Sequence, residues 1–207
     1  MQGENLQMDT LDCNSFHEIR AEDIDFYELS ALVKAIRGQL DSLRDKQGQV
    51  RLYSFEISER LITPLQNLDD LYTMLFKENE RDLSEAQRKY LVSCEKLLAS
   101  CYCFVRYFVE SNDNKSQNDV KDDSSKFANK LAYEFYYNAS YELRTPCSGL
   151  KGYSEHRVLT FMGANSSPFV PENQEKFDKI SYWVEELWKF INDLPDLWRA
   201  YTPEDAG

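Results

Sequence analysis

Apolar residues in this chain recur at alternating intervals of three and four over several long segments. The first segment places them at Leu29, Val33, Ile36, Leu40 and Leu43, and the last at Phe177, Ile180, Val184, Leu187, Ile191 and Leu194. This spacing puts apolar side chains on one stripe of an α-helix, which must be buried against other helices. Only seven Gly and six Pro occur among 207 residues, so few residues interrupt the pattern. The pattern predicts an all-α fold of long amphipathic helices.

Two segments of the chain are similar to each other. "SERLITPLQNL" (58–68) aligns with "SYELRTPCSGL" (140–150) at a constant offset of 82 residues. Chance similarity between amphipathic helices is the alternative, and the shared Leu-x-Thr-Pro disfavours it. Each segment precedes a loop and a second amphipathic helix, and Pro64 and Pro146 are predicted to kink the first helix of each pair. Because one hairpin cannot bury its stripe alone, the repeat predicts a four-helix bundle of two tandem hairpins.

The predicted organisation has five parts. Residues 1–22 are a polar tail, and 23–48 form an N-terminal coiled-coil-like helix. Residues 49–110 form the first hairpin, and 126–200 form the second. Between them, residues 111–125 contain a single apolar residue and are predicted to be a linker.

The charge and composition disfavour several classes of function. A net charge of −12 argues against nucleic acid and against an anionic membrane surface as partners. No apolar stretch reaches membrane-spanning length, and the N-terminus lacks the pattern of a secretory signal. Five scattered cysteines suggest a reduced, cytoplasmic protein with no metal site. Nothing in the sequence indicates a cofactor.

The second hairpin resembles the dimerisation and histidine-phosphotransfer (DHp) domain of sensor histidine kinases. The family's motif reads Ser-His-Glu-Leu-Arg-Thr-Pro-Leu, and this chain has "SYELRTPC" at 140–147. "INDLPDLWR" at 191–199 is similar to the end of the family's second helix. The resemblance covers residues 126–200 well and 50–110 weakly. In the family two chains pair to form the bundle, so the resemblance implies either a monomer with an internal pseudo-dimer or a homodimer.

The chain departs from the family at the residue that carries the chemistry. Tyr141 occupies the place of the phosphoacceptor histidine, and Glu59 occupies it in the first hairpin. His17 precedes Glu-Ile-Arg, but no Thr-Pro follows, which favours a surface role. No Gly-rich nucleotide motif is present, so we expect no autokinase activity. A phenol forms a stable phosphate ester, so Tyr141 cannot replace histidine in a reversible relay.

A phosphatase site is a second candidate. In the family, the Glu after the histidine and the Thr three residues later serve dephosphorylation of a partner receiver domain. Glu142 and Thr145 keep that spacing, whereas the first hairpin has Arg60 and Thr63. The alternative is that Thr145 is structural, with its hydroxyl satisfying a carbonyl freed by Pro146.

Two hypotheses of function follow, from different classes. The first is a non-catalytic regulatory or adaptor protein that binds a response-regulator receiver domain or a sensor histidine kinase. The second is an aspartyl-phosphate phosphatase acting through Glu142 and Thr145. A bundle that has diverged from two-component signalling altogether remains a third possibility, because fold does not determine function.

Overall fold

The computed structural model describes residues 25–46, 58–116, 124–161 and 169–200. These residues form six α-helices and one π-helical turn, Ser58–Ile62, and the described ranges contain no strand. The helices are α1 (Phe26–Lys46), α2 (Thr63–Asn79), α3 (Glu85–Ser116), α4 (Ser124–Glu142), α5 (Arg144–Phe161) and α6 (Phe169–Ala200). The predicted all-α class is confirmed.

Four helices contact one another in a ring. Helix α2 packs against α3 and α6, and α5 packs against the same two helices. Helix α4 precedes α5 and also lies along α6. The halves of the chain therefore meet along two lines, α2 with α6 and α3 with α5, and close a helical bundle within one polypeptide.

Helix α1 lies on the outside of this ring, against α3 and α2. Its first turn stacks the ring of Phe26 on that of Phe76, with centroids 3.9 Å apart. The hydroxyl oxygens of Ser30 and Thr73 are 3.4 Å apart one turn further on. Because the contact residues rise along α1 and fall along α2, the two helices run antiparallel.

The core consists of the apolar stripes. All the predicted stripe residues of α6, from Phe177 to Leu194, are at most 2% exposed. Leu61, Leu65, Leu68, Tyr72 and Leu75 are fully buried at the start of the first hairpin. The spacing of three and four thus identified the inner faces of these helices.

Helix α3 begins where a local sequence signal places it. The Gln87 side-chain oxygen accepts a hydrogen bond from the Ser84 amide at 2.8 Å, and the Ser84 hydroxyl accepts one from the Gln87 amide at 3.3 Å. This is a capping box, which satisfies two amides that the first helical turn leaves unpaired.

Helix extends into both ends of the predicted linker. Helix α3 continues to Ser116 and α4 begins at Ser124, while residues 117–123 lie outside the described part of the chain. Residues 111–116 contain no Gly or Pro, and an existing helix adds polar residues at small cost. The predicted polar tail, 1–22, also lies outside the described residues.

Candidate functional site

The segment with the altered motif spans the junction of α4 and α5. The α-helix is interrupted at Leu143, three residues before Pro146. Leu143 donates its amide to the Ala139 carbonyl at 3.1 Å, and Cys147 donates to the Leu143 carbonyl at 3.0 Å. Proline has no amide hydrogen to donate to the carbonyl four residues back, which accounts for a break at this place. In the first hairpin, the π-helical turn ends at Ile62, two residues before the equivalent Pro64.

The side chains at this junction divide between a buried face and an exposed face. Ala139 and Leu143 are fully buried, and Pro146 is also buried. Tyr141 is 64% exposed, and Glu142 and Thr145 are exposed beside it. Helical spacing predicts this division, because residues two apart point to different sides of a helix.

The polar side chains of this surface are available for contact. Neither the Glu142 carboxylate nor the Thr145 hydroxyl makes a hydrogen bond or an ion pair with any residue that the structure describes. In particular, the Thr145 hydroxyl does not bind a backbone carbonyl freed by Pro146, which the structural explanation of this residue requires.

Aromatic rings extend from Tyr141 along the bundle. Tyr133, Tyr137 and Tyr141 occupy successive turns of α4, with centroids 5.8 and 5.1 Å apart. Trp198 of α6 meets Tyr133 and Tyr137 edge to face, at 5.9 and 5.8 Å. These four residues form an aromatic ridge. The Tyr137 hydroxyl donates a hydrogen bond to that of Tyr141, and this bond, together with the charge of ionised Tyr141, raises the pKa of Tyr137.

The equivalent segment of the first hairpin is engaged with another helix. Arg60 pairs with Asp193 of α6 and lies over the ring of Phe190, 5.5 Å from its centroid. Thr63 is half-buried, whereas its counterpart Thr145 is exposed. The side chain of Glu59 lies outside the described residues, as does His17. The two repeats therefore present different surfaces at this level.

The cysteines of the described helices are free and buried. They are Cys94, Cys101, Cys103 and Cys147. Across the described ranges, no group of three or more His, Cys, Asp or Glu side chains has the arrangement of a metal site. None of the described helices is long and apolar enough to span a bilayer.

Sequence reasoning missed a cluster of buried charges beneath α1. Asp69 of α2 is 1% exposed and Glu95 of α3 is fully buried. Arg37 of α1 pairs with Asp69 and also donates to the exposed Asp70 at 2.7 Å. A signal was present, because Asp69 stands at stripe spacing between Leu65 and Tyr72, where an apolar residue is expected.

Comparisons of this chain with protein-family models, with curated proteins and with solved structures find no match. Its function is therefore inferred from its own residues.

Proposed function

We propose that this protein is a non-catalytic adaptor of two-component signalling. It binds a response-regulator receiver domain or a sensor histidine kinase through the surface around Tyr141. The observation that carries this proposal is the exposure of Tyr141, 64%, at the position where the DHp motif has its phosphoacceptor histidine. The side chain at this position faces solvent, as docking of a partner requires, but a tyrosine replaces the histidine that would accept phosphate.

The aromatic ridge supports binding. Tyrosine and tryptophan are enriched among the residues that contribute most to protein–protein affinity. Tyr137 and Tyr141 are exposed, and Tyr133 and Trp198 are half-buried next to them. A partner domain would cover rings that already hold one another in place, so little side-chain entropy is lost on docking.

The bundle supports a monomer as the functional form. Its four contacting helices, α2, α3, α5 and α6, come from one chain, so a second chain is not required to bury the stripes. Light scattering at increasing concentration distinguishes this from a homodimer. Because both proposed partners act in the cytoplasm, the proposal includes a cytoplasmic location for this protein.

Binding to purified receiver domains and kinase bundles of the same host tests the proposal. Calorimetric titration should detect one partner with wild-type protein, and Tyr141→Ala should weaken that affinity about tenfold or more. Tyr182→Ala is the matched control, because Tyr182 is 55% exposed on α6 and lies about 24 Å along that helix from Trp198. Absence of binding to every receiver and kinase would overturn the proposal.

A phosphatase acting on the partner's aspartyl phosphate is the second candidate. The Thr145 hydroxyl favours it, because this group has no hydrogen bond with the described residues that would give it a structural role. Thr145 would orient the attacking water and Glu142 would assist, with Mg²⁺ held by the receiver. The decay of phosphorylated receiver should then accelerate, and Thr145→Ala should abolish the effect while leaving binding intact. Thr63→Ala is the control, and unchanged decay with wild-type protein would leave only the adaptor.

A further inference from the structure

Several polar atoms of α2 and α3 are buried without hydrogen-bond partners in the described part of the chain. Both carboxyl oxygens of Glu95 are among them, together with one oxygen of Asp69 and the Tyr102 and Tyr72 hydroxyls. Burial of an unpaired carboxylate costs much free energy, so the carboxyl groups of Glu95 and Asp69 need a proton or a counter-charge.

Two cations of α1, Lys34 and Arg37, lie near Glu95, but neither makes a hydrogen bond to its carboxyl oxygens. Arg37 pairs with the second oxygen of Asp69 and with Asp70. The carboxyl groups of Glu95 and Asp69 are close enough to hydrogen-bond. Two carboxylates offer no proton between them, whereas a neutral Glu95 can donate its proton to Asp69. A single added proton therefore gives each of the two carboxyl groups a hydrogen-bond partner.

We propose that α1 is a proton-dependent clasp: Glu95 takes up one proton when α1 docks on α2 and α3, and loses it to water when α1 leaves. Raising the pH therefore releases α1. The inference is independent of the function proposed above, because it concerns a different face of the bundle.

The position of α1 makes its release separable from unfolding. Among the described helices, α1 packs on α3 and α2 and lies outside the ring of four. Its polar contacts with α2 include the Arg37 ion pairs and the Ser30–Thr73 hydroxyl contact, and Tyr27 donates a 2.6 Å hydrogen bond to Glu80, the residue after α2. The ring of helices can remain closed when these contacts open.

The side chains around Glu95 come from all three helices. Lys34 and Arg37 face it from α1 and Asp69 faces it from α2, and the buried side chains of Tyr72, Cys94 and Tyr102 also surround it. Burial raises the pKa of Glu95 well above its ordinary value, the neighbouring Asp69 raises it further, and Lys34 and Arg37 oppose these effects.

The direction of the pH effect follows from this balance. The docked state binds a proton that the undocked state releases above the ordinary carboxyl pKa. Docking is therefore strongest at low pH. The equilibrium constant for docking falls by about a factor of ten per pH unit between the ordinary carboxyl pKa and the raised pKa of docked Glu95.

Amide hydrogen exchange measured by mass spectrometry tests the clasp on the full chain. After correction for the intrinsic rate, the opening constant of a peptide from α1, residues 26–40, should rise with pH above the ordinary carboxyl pKa, by up to about tenfold per pH unit. A peptide from α6, residues 177–194, should have a much smaller opening constant at every pH, because the ring of helices stays closed when α1 leaves. Equal opening constants in the two peptides would mean that α1 opens only by global unfolding and would overturn the clasp.

Two variants assign the effect to Glu95. Glu95→Gln is neutral at every pH and should remove the pH dependence of α1 opening. Asp70→Asn alters the exposed partner of Arg37 and should retain it. Persistence of the pH dependence in Glu95→Gln would contradict the proposal. Should that variant not fold, infrared spectroscopy of the wild type decides, because protonated Glu95 must still give its carbonyl band at a pH above the ordinary carboxyl pKa, and absence of that band would overturn the assignment.

Discussion

The sulfur atoms of Cys101 and Cys147 lie 3.9 Å apart at the contact between α3 and α5. Both side chains are at most 2% exposed. Cys147 occupies the position after the repeated proline, where the first hairpin has the fully buried Leu65. The two thiols therefore behave as small apolar side chains that join the two halves of the bundle.

These thiols should be unreactive in the folded protein. The hydrogen bond with Cys101 and then burial raise the pKa of Cys147, and burial raises the pKa of Cys94 to about 12. Because the thiolate is the reactive form, labelling at neutral pH must await opening of the bundle. In a Cys13→Ser background, a thiol-titrating disulfide reagent should detect none of the four thiols rapidly in buffer and all four in urea. Rapid labelling in buffer would contradict the buried contact.

Two glycines of α5 should respond oppositely to alanine. A Cβ atom on Gly152 meets nothing within 4 Å, so Gly152→Ala should raise the free energy of unfolding by about 0.5–1 kcal/mol. A Cβ atom on Gly149 would lie 2.8 Å from a terminal carbon of Leu97, which must then change rotamer at a cost of about 0.5–1.5 kcal/mol. Urea unfolding should therefore rank Gly152→Ala clearly above Gly149→Ala. Equal gains would show that α3 and α5 approach less closely at this point.

The hydroxyl groups of two buried tyrosines should contribute differently to the free energy of unfolding. The Tyr102 hydroxyl has no hydrogen-bond partner among the described residues, so Tyr102→Phe should be neutral or stabilising. The Tyr90 hydroxyl donates to the Tyr153 carbonyl at 3.2 Å, so Tyr90→Phe should cost about 1 kcal/mol. Thermal or urea unfolding of the two variants provides the comparison. A larger loss for Tyr102→Phe would be inconsistent with the packing described above.

Stability should fall in alkaline solution. Burial raises the pKa of Cys94 from 9.0 to about 12, and it raises those of Tyr72 and Tyr102 above 10.0. The unfolded chain loses these protons at lower pH than the folded chain does, so folding weakens as the pH rises above about 9. Each such group lowers the free energy of unfolding by about 1.4 kcal/mol for each unit that the pH rises in this range. Urea unfolding between about pH 8 and 11 measures the slope, which Cys94→Ala should reduce by one group. Recovery of stability on return to pH 8 is the control, and a flat profile would count against burial of these side chains.

Local periodicity was sufficient to predict much of the fold. The alternating spacing of three and four located the buried faces of α2 and α6, and Ser84 with Gln87 located the start of α3. The exposed side of Tyr141, Glu142 and Thr145 also followed from helical geometry, because Ala139 and Leu143 belong to the buried stripe. Each of these features depends on residues within two turns of one another.

Periodicity was less successful on α3. Its spacing of three and four predicts a single stripe of Tyr90, Cys94, Leu97, Cys101, Phe104 and Phe108. Leu97 and Phe104 are only partly buried, while Leu98 and Val105, outside that stripe, are at most 1% exposed. Helix α3 contacts α1, α2 and α5, so it is enclosed on more than one face. A single stripe cannot describe a helix with three neighbours.

The sequence by itself determined the helical class, the repeat at an offset of 82 residues and the replacement of the phosphoacceptor histidine by Tyr141. These properties reside in spacing and residue type, which survive any arrangement of the helices. Only the tertiary structure brought Arg37, Asp69 and Glu95 together and joined Trp198 to the tyrosines of α4. These contacts link residues from different helices, and the energy of burying a charge or an aromatic ring depends on neighbours that local sequence does not specify.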